Sequence, residues 1–213
     1  MMKERHALIA LYVDDLLIAC SNKKMCRDLK KGFSAEFSMK IMGSVNHILG
    51  MDVRNSVENH TVHLSQTQYT INVYNNFQQH GVYCYGTPID SKAQLSKSQC
   101  PIEGSVEASQ MKNMPYRELI GSLLWVANGT RPDVSFAVNT LAKFTSNPGL
   151  VHWKALLRVL GYLYATKDYC IKYERNPEVT DGIDAQGYSR GFLPLTELDA
   201  YVDASFAGDV DTR

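Results

Sequence analysis

The chain has 213 residues, 45% hydrophobic and 21% charged, which is ordinary globular composition for one large domain or two small ones. Its formal net charge is zero with a pI near 7, so no global basic signature marks a nucleic-acid binder and any such contact has to be local. Cys20, Cys26, Cys84, Cys100 and Cys170 are odd in number and lack C-x-x-C spacing, which predicts free thiols in a reducing intracellular compartment and argues against zinc. No apolar run approaches the roughly 18 to 20 residues of a membrane span.

The charged start Met1 to His6 precedes an apolar run, but Asp14-Asp15 interrupts that run and no small-residue cleavage site follows, unlike a signal peptide. Ala7 to Leu11 and Leu16 to Ala19 have the length and composition of buried strands, and they meet at Tyr12-Val13-Asp14-Asp15. The pattern predicts a hairpin with an acidic tip. Adjacent carboxylates in an apolar setting repel one another and lose hydration, so they require a proton or a cation. A hard ion such as Mg2+ suits them, since it typically takes one or two protein carboxylates and leaves the rest to water and phosphate. The same four residues also fit a solvated turn, because Asp is a favoured turn residue. A buried strand so near a terminus needs neighbours, an expectation that the chain starts partway through a domain.

Met25, Leu29, Phe33 and Phe37 recur every fourth residue and predict a helix over about Lys24 to Phe37, capped by Asn22 or Ser21. Its other face has a local positive excess that includes Lys30 and Lys31. That face suits a phosphate backbone, and equally a plain solvated helix surface. His47 to Val53 and Thr61 to Leu64, joined by polar Asn55 to Asn59, predict a second hairpin. Gly50 within it marks either a bulge or a place where another backbone comes close.

Ser65-Gln66-Thr67-Gln68 has the capping-box pattern and predicts a helix whose inner stripe is Tyr69, Val73 and Phe77, stopped by Gly81. From about Ser91 to Asn113 the sequence is polar and aperiodic, and reads as a mobile connector. Three further helices are expected: one opening at Pro115, one after Thr130-Arg131-Pro132-Asp133 with Val134, Ala137, Val138, Leu141 and Phe144 inward, and one over about Val151 to Ala165. Together they make a small bundle. Tyr169 to Tyr173 reads as a short strand and Asp181 to Pro194 as a loop. Leu198, Ala200 and Val202 alternate as a half-buried strand delivering Asp203, a residue that a simple turn would also explain.

Several of these stretches, in this order, resemble the copia-type retrotransposon Pol polyprotein. They are Ala10 to Ile18 around the Tyr-Val-Asp-Asp motif, Leu64-Ser65-Gln66 with Tyr69, Thr87 to Asp90, Tyr116 to Leu124, Thr130 to Asp133, His152 to Ala155 and Arg158 to Leu163. The resemblance runs from about Ala7 to Arg213 and implies the C-terminal part of a reverse transcriptase continuing into the start of ribonuclease H.

The fold class so implied is α+β. Residues 1–64 would be a partial palm with the Tyr-Val-Asp-Asp hairpin and a primer-grip-like hairpin, and 65–90 a thumb-like helix. Residues 91–113 would be a linker, 114–168 a helical thumb or connection bundle, and 169–213 a connection and truncated ribonuclease H start. The implied activity is RNA-directed DNA synthesis by two-metal nucleotidyl transfer. Asp14 and Asp15 would hold Mg2+, Tyr12 and Val13 would floor the primer terminus, and Leu49, Gly50 and Met51 would grip the primer's end. Asp203 falls at the first metal-binding carboxylate of ribonuclease H.

The implied partners are an RNA or DNA template-primer, a deoxynucleotide and further polyprotein segments, with no membrane. The family's first catalytic carboxylate and its fingers lie upstream of anything in this chain, so the isolated chain is expected neither to polymerise nor to cleave. A non-catalytic module that binds nucleic acid or protein is the alternative. A third reading, an unrelated two-carboxylate phosphotransferase, would need Asp52 beside the hairpin.

Overall fold

In the computed structural model, residues 6–56, 58–90, 92–174 and 211 are described, and they divide into two compact units, residues 1–53 and 54–213. The chain mixes helices with two antiparallel sheets, an α+β composition. The strand expected to deliver Asp203 lies outside the described residues.

In the first unit β1 (Ala7–Tyr12) and β2 (Asp15–Cys20) pair antiparallel with Ala7 opposite Cys20 and Tyr12 opposite Asp15. Helix α1 (Lys23–Glu36) follows at once, because the Asn22 side chain accepts the Met25 amide at 2.8 Å and so caps the first turn. Met25, Leu29 and Phe33 are half-buried, whereas Phe37 sits past the helix end and is exposed. The strands differ from the buried pair that their composition predicts: Leu8, Ile9 and Leu11 are all exposed. Alternation along β2 shows the cause. Leu16, Ile18 and Cys20 are half-buried while Leu17 and Ala19 on the opposite face are exposed, so only one face of this two-stranded ribbon is covered.

His47–Ile48 (β3) and the start of Met51–Ser56 (β4) form a tight hairpin, with Ile48 opposite Met51. The chain passes from the first unit to the second within β4. There the sheet continues in the order β4, β5 (Thr61–Ser65), β6 (Ile171–Glu174), with Leu64 opposite Ile171.

Helices α2 (Thr67–Phe77), α4 (Tyr116–Gly129), α5 (Ser135–Ala142) and α6 (Leu150–Ala165) supply the core of the second unit. Leu119, Leu123, Val138, Leu141, Leu156, Leu160 and Leu163 are almost completely buried, each leucine worth roughly 1.5–3 kcal/mol by transfer. The expected inward residues Val73, Phe77, Val134, Ala137 and Trp153 are buried with them.

Two local expectations are corrected. The capping box at Ser65 to Gln68 does not form: Gln66 stands at the N-cap with no side-chain cap bond, and the Gln68 amide goes to Asn72 at 2.9 Å. Ser65 is instead buried at the end of β5, and buried Gln66 accepts a hydrogen bond from Thr130 Oγ1 at 3.0 Å, tying the start of α2 to the end of α4.

The polar, aperiodic stretch read as a connector contains short ordered elements. A 3-10 helix over Lys97–Gln99 has a complete capping box from Ser96 and Gln99, and α3 (Val106–Met111) is capped by Ser105. Pieces of three and six residues are too short for an apolar period to show.

Arg131 fastens the end of this bundle. Its Nε and NH2 donate to the two Asp133 oxygens at 2.9 and 2.8 Å, its NH1 and NH2 donate to Thr166, and its guanidinium lies against the Tyr162 and Tyr169 rings. Burial works against ionised Asp133, but the hydrogen bonds from Arg131 and Tyr162 prevail and hold its carboxyl below the usual range.

His152, fully buried in the first turn of α6, accepts the Gly149 amide on Nδ1 at 2.9 Å and stacks on Phe144. Its Nε2 is buried and has no hydrogen-bond partner among the described residues. Desolvation depresses its pKa, outweighing Ser96, Glu107 and Asp211. The unfolded chain therefore binds a proton that the buried ring refuses, so the stability this residue confers is present above pH about 6.5 and falls away below it. The urea midpoint of the second unit should drop between pH 7.5 and 5, and drop less in His152→Asn. An equal drop in both proteins would remove His152 from the account.

Candidate metal-binding hairpin

The register Tyr12 opposite Asp15 leaves Val13 and Asp14 as the two turn residues joining β1 and β2. Asp14 is thus at the tip, and Asp15 opens β2 beside it. Val13 has φ +52°, a left-handed value that a β-branched side chain adopts at a cost, and it is 85% exposed. A positive φ at the first turn position alone is the type II′ pattern, where Gly is the usual occupant. A strained, outward-facing residue is therefore built in next to two carboxylates.

Asp14 and Asp15 are exposed, and among the described residues neither has an ion-pair or hydrogen-bond partner. Their open setting corrects the expectation that an apolar surround would strip their hydration and so require a cation. Water solvates them as they stand, and what draws a cation is their number, adjacency and freedom from partners. The donor set fits a hard divalent ion that keeps waters and takes its remaining ligands from phosphate. It is not a complete protein cage: among the described residues no group of three or more His, Cys, Asp or Glu is placed to hold a metal.

Tyr12 and Val13 share this tip, and Tyr12 is exposed. Lys30 does not. It lies close enough to Cys20 to act on that thiol, and Cys20 ends β2 five residues from Asp15, roughly 17 Å along a strand. Lys31 is exposed on α1.

Leu49 and Gly50, with φ +51° and +72°, are the two turn residues between β3 and β4, a type I′ pattern rather than a bulge, and Met51 begins β4. Asp52 is committed elsewhere: its carboxylate pairs across the strands with His47 Nδ1 at 3.1 Å, which removes the support for it as a third acid. Asp203 lies outside the described residues.

One surface was not singled out by the sequence. On α4, Arg117, Gly121 and Trp125 follow one another at four-residue spacing and all face outward. Trp125 is 42% exposed, and nothing lies within 4 Å of where a Cβ on Gly121 would stand. The four-residue spacing is visible in the sequence, where this stretch reads only as one helix of the bundle.

Residues 2–91 match the family described as reverse transcriptase (RNA-dependent DNA polymerase), and the acidic hairpin falls inside that match. Residues 2–91 are therefore similar to reverse transcriptases, and most of the chain is similar to proteins named as transposon Pol polyproteins. It is 32% identical over 206 residues to the retrovirus-related Pol polyprotein from transposon TNT 1-94 of Nicotiana tabacum, covering 97% of this chain and 14% of that protein. To the putative transposon Ty5-1 protein of Saccharomyces cerevisiae it is 31% identical, covering 80% of this chain and 53% of the relative. To the Pol polyprotein from transposon RE2 of Arabidopsis thaliana it is 30% identical, covering 94% of this chain and 12% of the relative. The chain thus spans between about an eighth and about half of these relatives. No solved structure matches it. No helix among the described residues is long and apolar enough to cross a membrane.

Relieving the left-handed strain at Val13 should firm the hairpin. Val13→Gly is expected to slow amide hydrogen exchange across β1 and β2 several-fold, corresponding to about 1 kcal/mol. Faster exchange would mean the turn is not under strain.

Proposed function

We propose that this chain is the C-terminal part of a copia-type RNA-directed DNA polymerase, and that the β1–β2 hairpin carries part of its catalytic metal site. One observation carries the reading: two adjacent, exposed, unpartnered carboxylates stand at the tip of a tight hairpin inside the segment matching the reverse transcriptase family. Asp14 and Asp15 would hold Mg2+, which when bound supplies charge neutralisation at a nucleotide's phosphates. Tyr12 and Val13 border the same tip and would shape the floor under the primer terminus. Leu49, Gly50 and Met51, on their own tight turn, would contact the primer strand. Asp203 retains its proposed place as the first carboxylate of a ribonuclease H segment. The substrates are then a template-primer and deoxynucleotides.

Two carboxylates leave such a centre short of ligands, so the 213-residue chain alone should give no primer extension. Replacing the matching residues of the tobacco Pol polyprotein by this chain should restore Mg2+-dependent extension, and Asp14→Asn in that chimaera should reduce it to background. Extension by the isolated chain that Asp14→Asn abolishes would overturn the claim of incompleteness. Extension by the chimaera that survives Asp14→Asn would overturn the assignment of the hairpin.

The outward face of α4 favours a second, compatible reading in which the helical unit binds nucleic acid without metal. An exposed indole, an unobstructed glycine and an arginine in line let a nucleic-acid strand lie close and stack. Trp125→Ala should weaken salt-sensitive binding to a primer-template about tenfold in the presence of chelator, given roughly 1–3 kcal/mol per aromatic stack. Unchanged binding would leave this face without a role.

A further inference from the structure

In the first unit an open groove runs along α1 that the polymerase reading does not use. Its volume is about 710 Å3, and among the described residues its lining comes entirely from α1 and the two residues flanking it, Asn22 and Phe37. Met25, Leu29 and Phe33 give it an apolar floor, and none of them is fully buried. Beside Leu29 the lining drops away at Gly32, where nothing lies within 4 Å of the place a Cβ would take. Glycine weakens a helix interior, and no neighbour within the described chain requires one here. The groove ends in opposite charges, Lys24 in the first turn and Glu36 at the last helical residue. Among the described residues neither is ion-paired. Twelve residues separate them, about 18 Å along the helix axis, so they cannot pair with each other.

The same helix running the other way matches each of these features. We propose that two copies of the chain meet on this groove, their α1 helices packing antiparallel about a two-fold axis that passes between Leu29 and Gly32. That axis sets Leu29 level with the partner's Gly32, so each leucine fills the opening left by the other copy's glycine and the two backbones come close. Met25 and Phe33 flank that contact along the same ridge of four-residue spacing. Lys24 comes within one residue of level with the partner's Glu36, so the two free charges pair twice, once at each end of the contact. Antiparallel packing also sets the positive end of each helix dipole beside the negative end of the other. A partner of unlike sequence would have to supply the leucine and both charges in this order, whereas a second copy already carries them. Fourteen helical residues make a contact about 21 Å long, at the low end of interface sizes, so the dissociation constant falls roughly between ten and several hundred micromolar.

Sedimentation equilibrium of the full chain from about 5 to 500 μM, in reducing buffer at low ionic strength, tests this without any polymerase activity. The expected result is a monomer–dimer equilibrium. Lys24→Glu or Glu36→Lys alone should weaken it about tenfold, because each reversal sets like charges together at both ends. The double variant Lys24→Glu/Glu36→Lys should return to within about twofold of the parent chain, a rescue that no contact within one helix can give. Both substitutions suit the helix dipole, so α1 should keep its helicity by circular dichroism. Gly32→Gln has room in a single copy and should abolish the dimer by filling the opening. A monomer throughout the range would overturn the proposal and leave the groove to a different protein segment. Self-association that ignores Gly32→Gln or the single reversals, or that the double variant fails to restore, would overturn it as well.

Discussion

Charge repulsion between neighbouring carboxylates is the constraint on which the acidic hairpin depends. Asp14 and Asp15 follow one another at a two-residue turn, so neither can retreat without breaking the pairing of Tyr12 with Asp15. A protein tolerates such a pair in two ways: by leaving it in water, or by giving it a cation. The fold takes the first course, with both side chains exposed and, among the described residues, unpartnered, and that is what keeps the second open. An arginine at the tip would have neutralised the pair and closed the site. The left-handed backbone at Val13 belongs to the same arrangement, since a tight turn with a β-branched residue costs energy that a solvated Asn-Gly turn would not.

The two units are held by different means. The helical unit is conventional, a leucine-rich core fastened by a few buried polar ties: Gln66 with Thr130, Arg131 with Asp133 and Thr166, and His152 on the Gly149 amide. Gly161 shows how close that packing is, because a Cβ there would stand 1.8 Å from the Tyr83 carbonyl oxygen. Among the described residues, the hairpin unit has no comparable core. One face of its ribbon is open, and its helix relies on half-buried Met25, Leu29 and Phe33.

Most of the helical unit was legible in the sequence, because burial there is decided by neighbours a few residues away and by strong 3.6-residue periods. The inner faces of α2, α5 and α6 follow directly from Val73 and Phe77, Val138 and Leu141, and Leu156 and Leu160. What was not legible depends on partners distant in sequence. The capping pattern at Ser65 lost because Ser65 is buried in a strand and Gln66 finds Thr130, 64 residues away. The short helices after Ser96 are specified by caps rather than by periodicity. Composition marked β1 and β2 as strands correctly, but it cannot tell which faces are covered, and so it misjudged the hydration of the tip. The carboxylates themselves were visible as a motif. Their freedom from partners became visible only in three dimensions.

The central claim is that this tip binds a divalent ion weakly by itself and tightly only with a nucleotide's phosphates. Mn2+ titration with NMR detection of backbone amides tests it most directly. The account predicts paramagnetic broadening centred on Val13, Asp14 and Asp15, sharpened to lower Mn2+ concentration by a deoxynucleoside triphosphate and lost in Asp14→Asn/Asp15→Asn. Broadening spread over the acidic surface, with no response to nucleotide or to that double substitution, would contradict it.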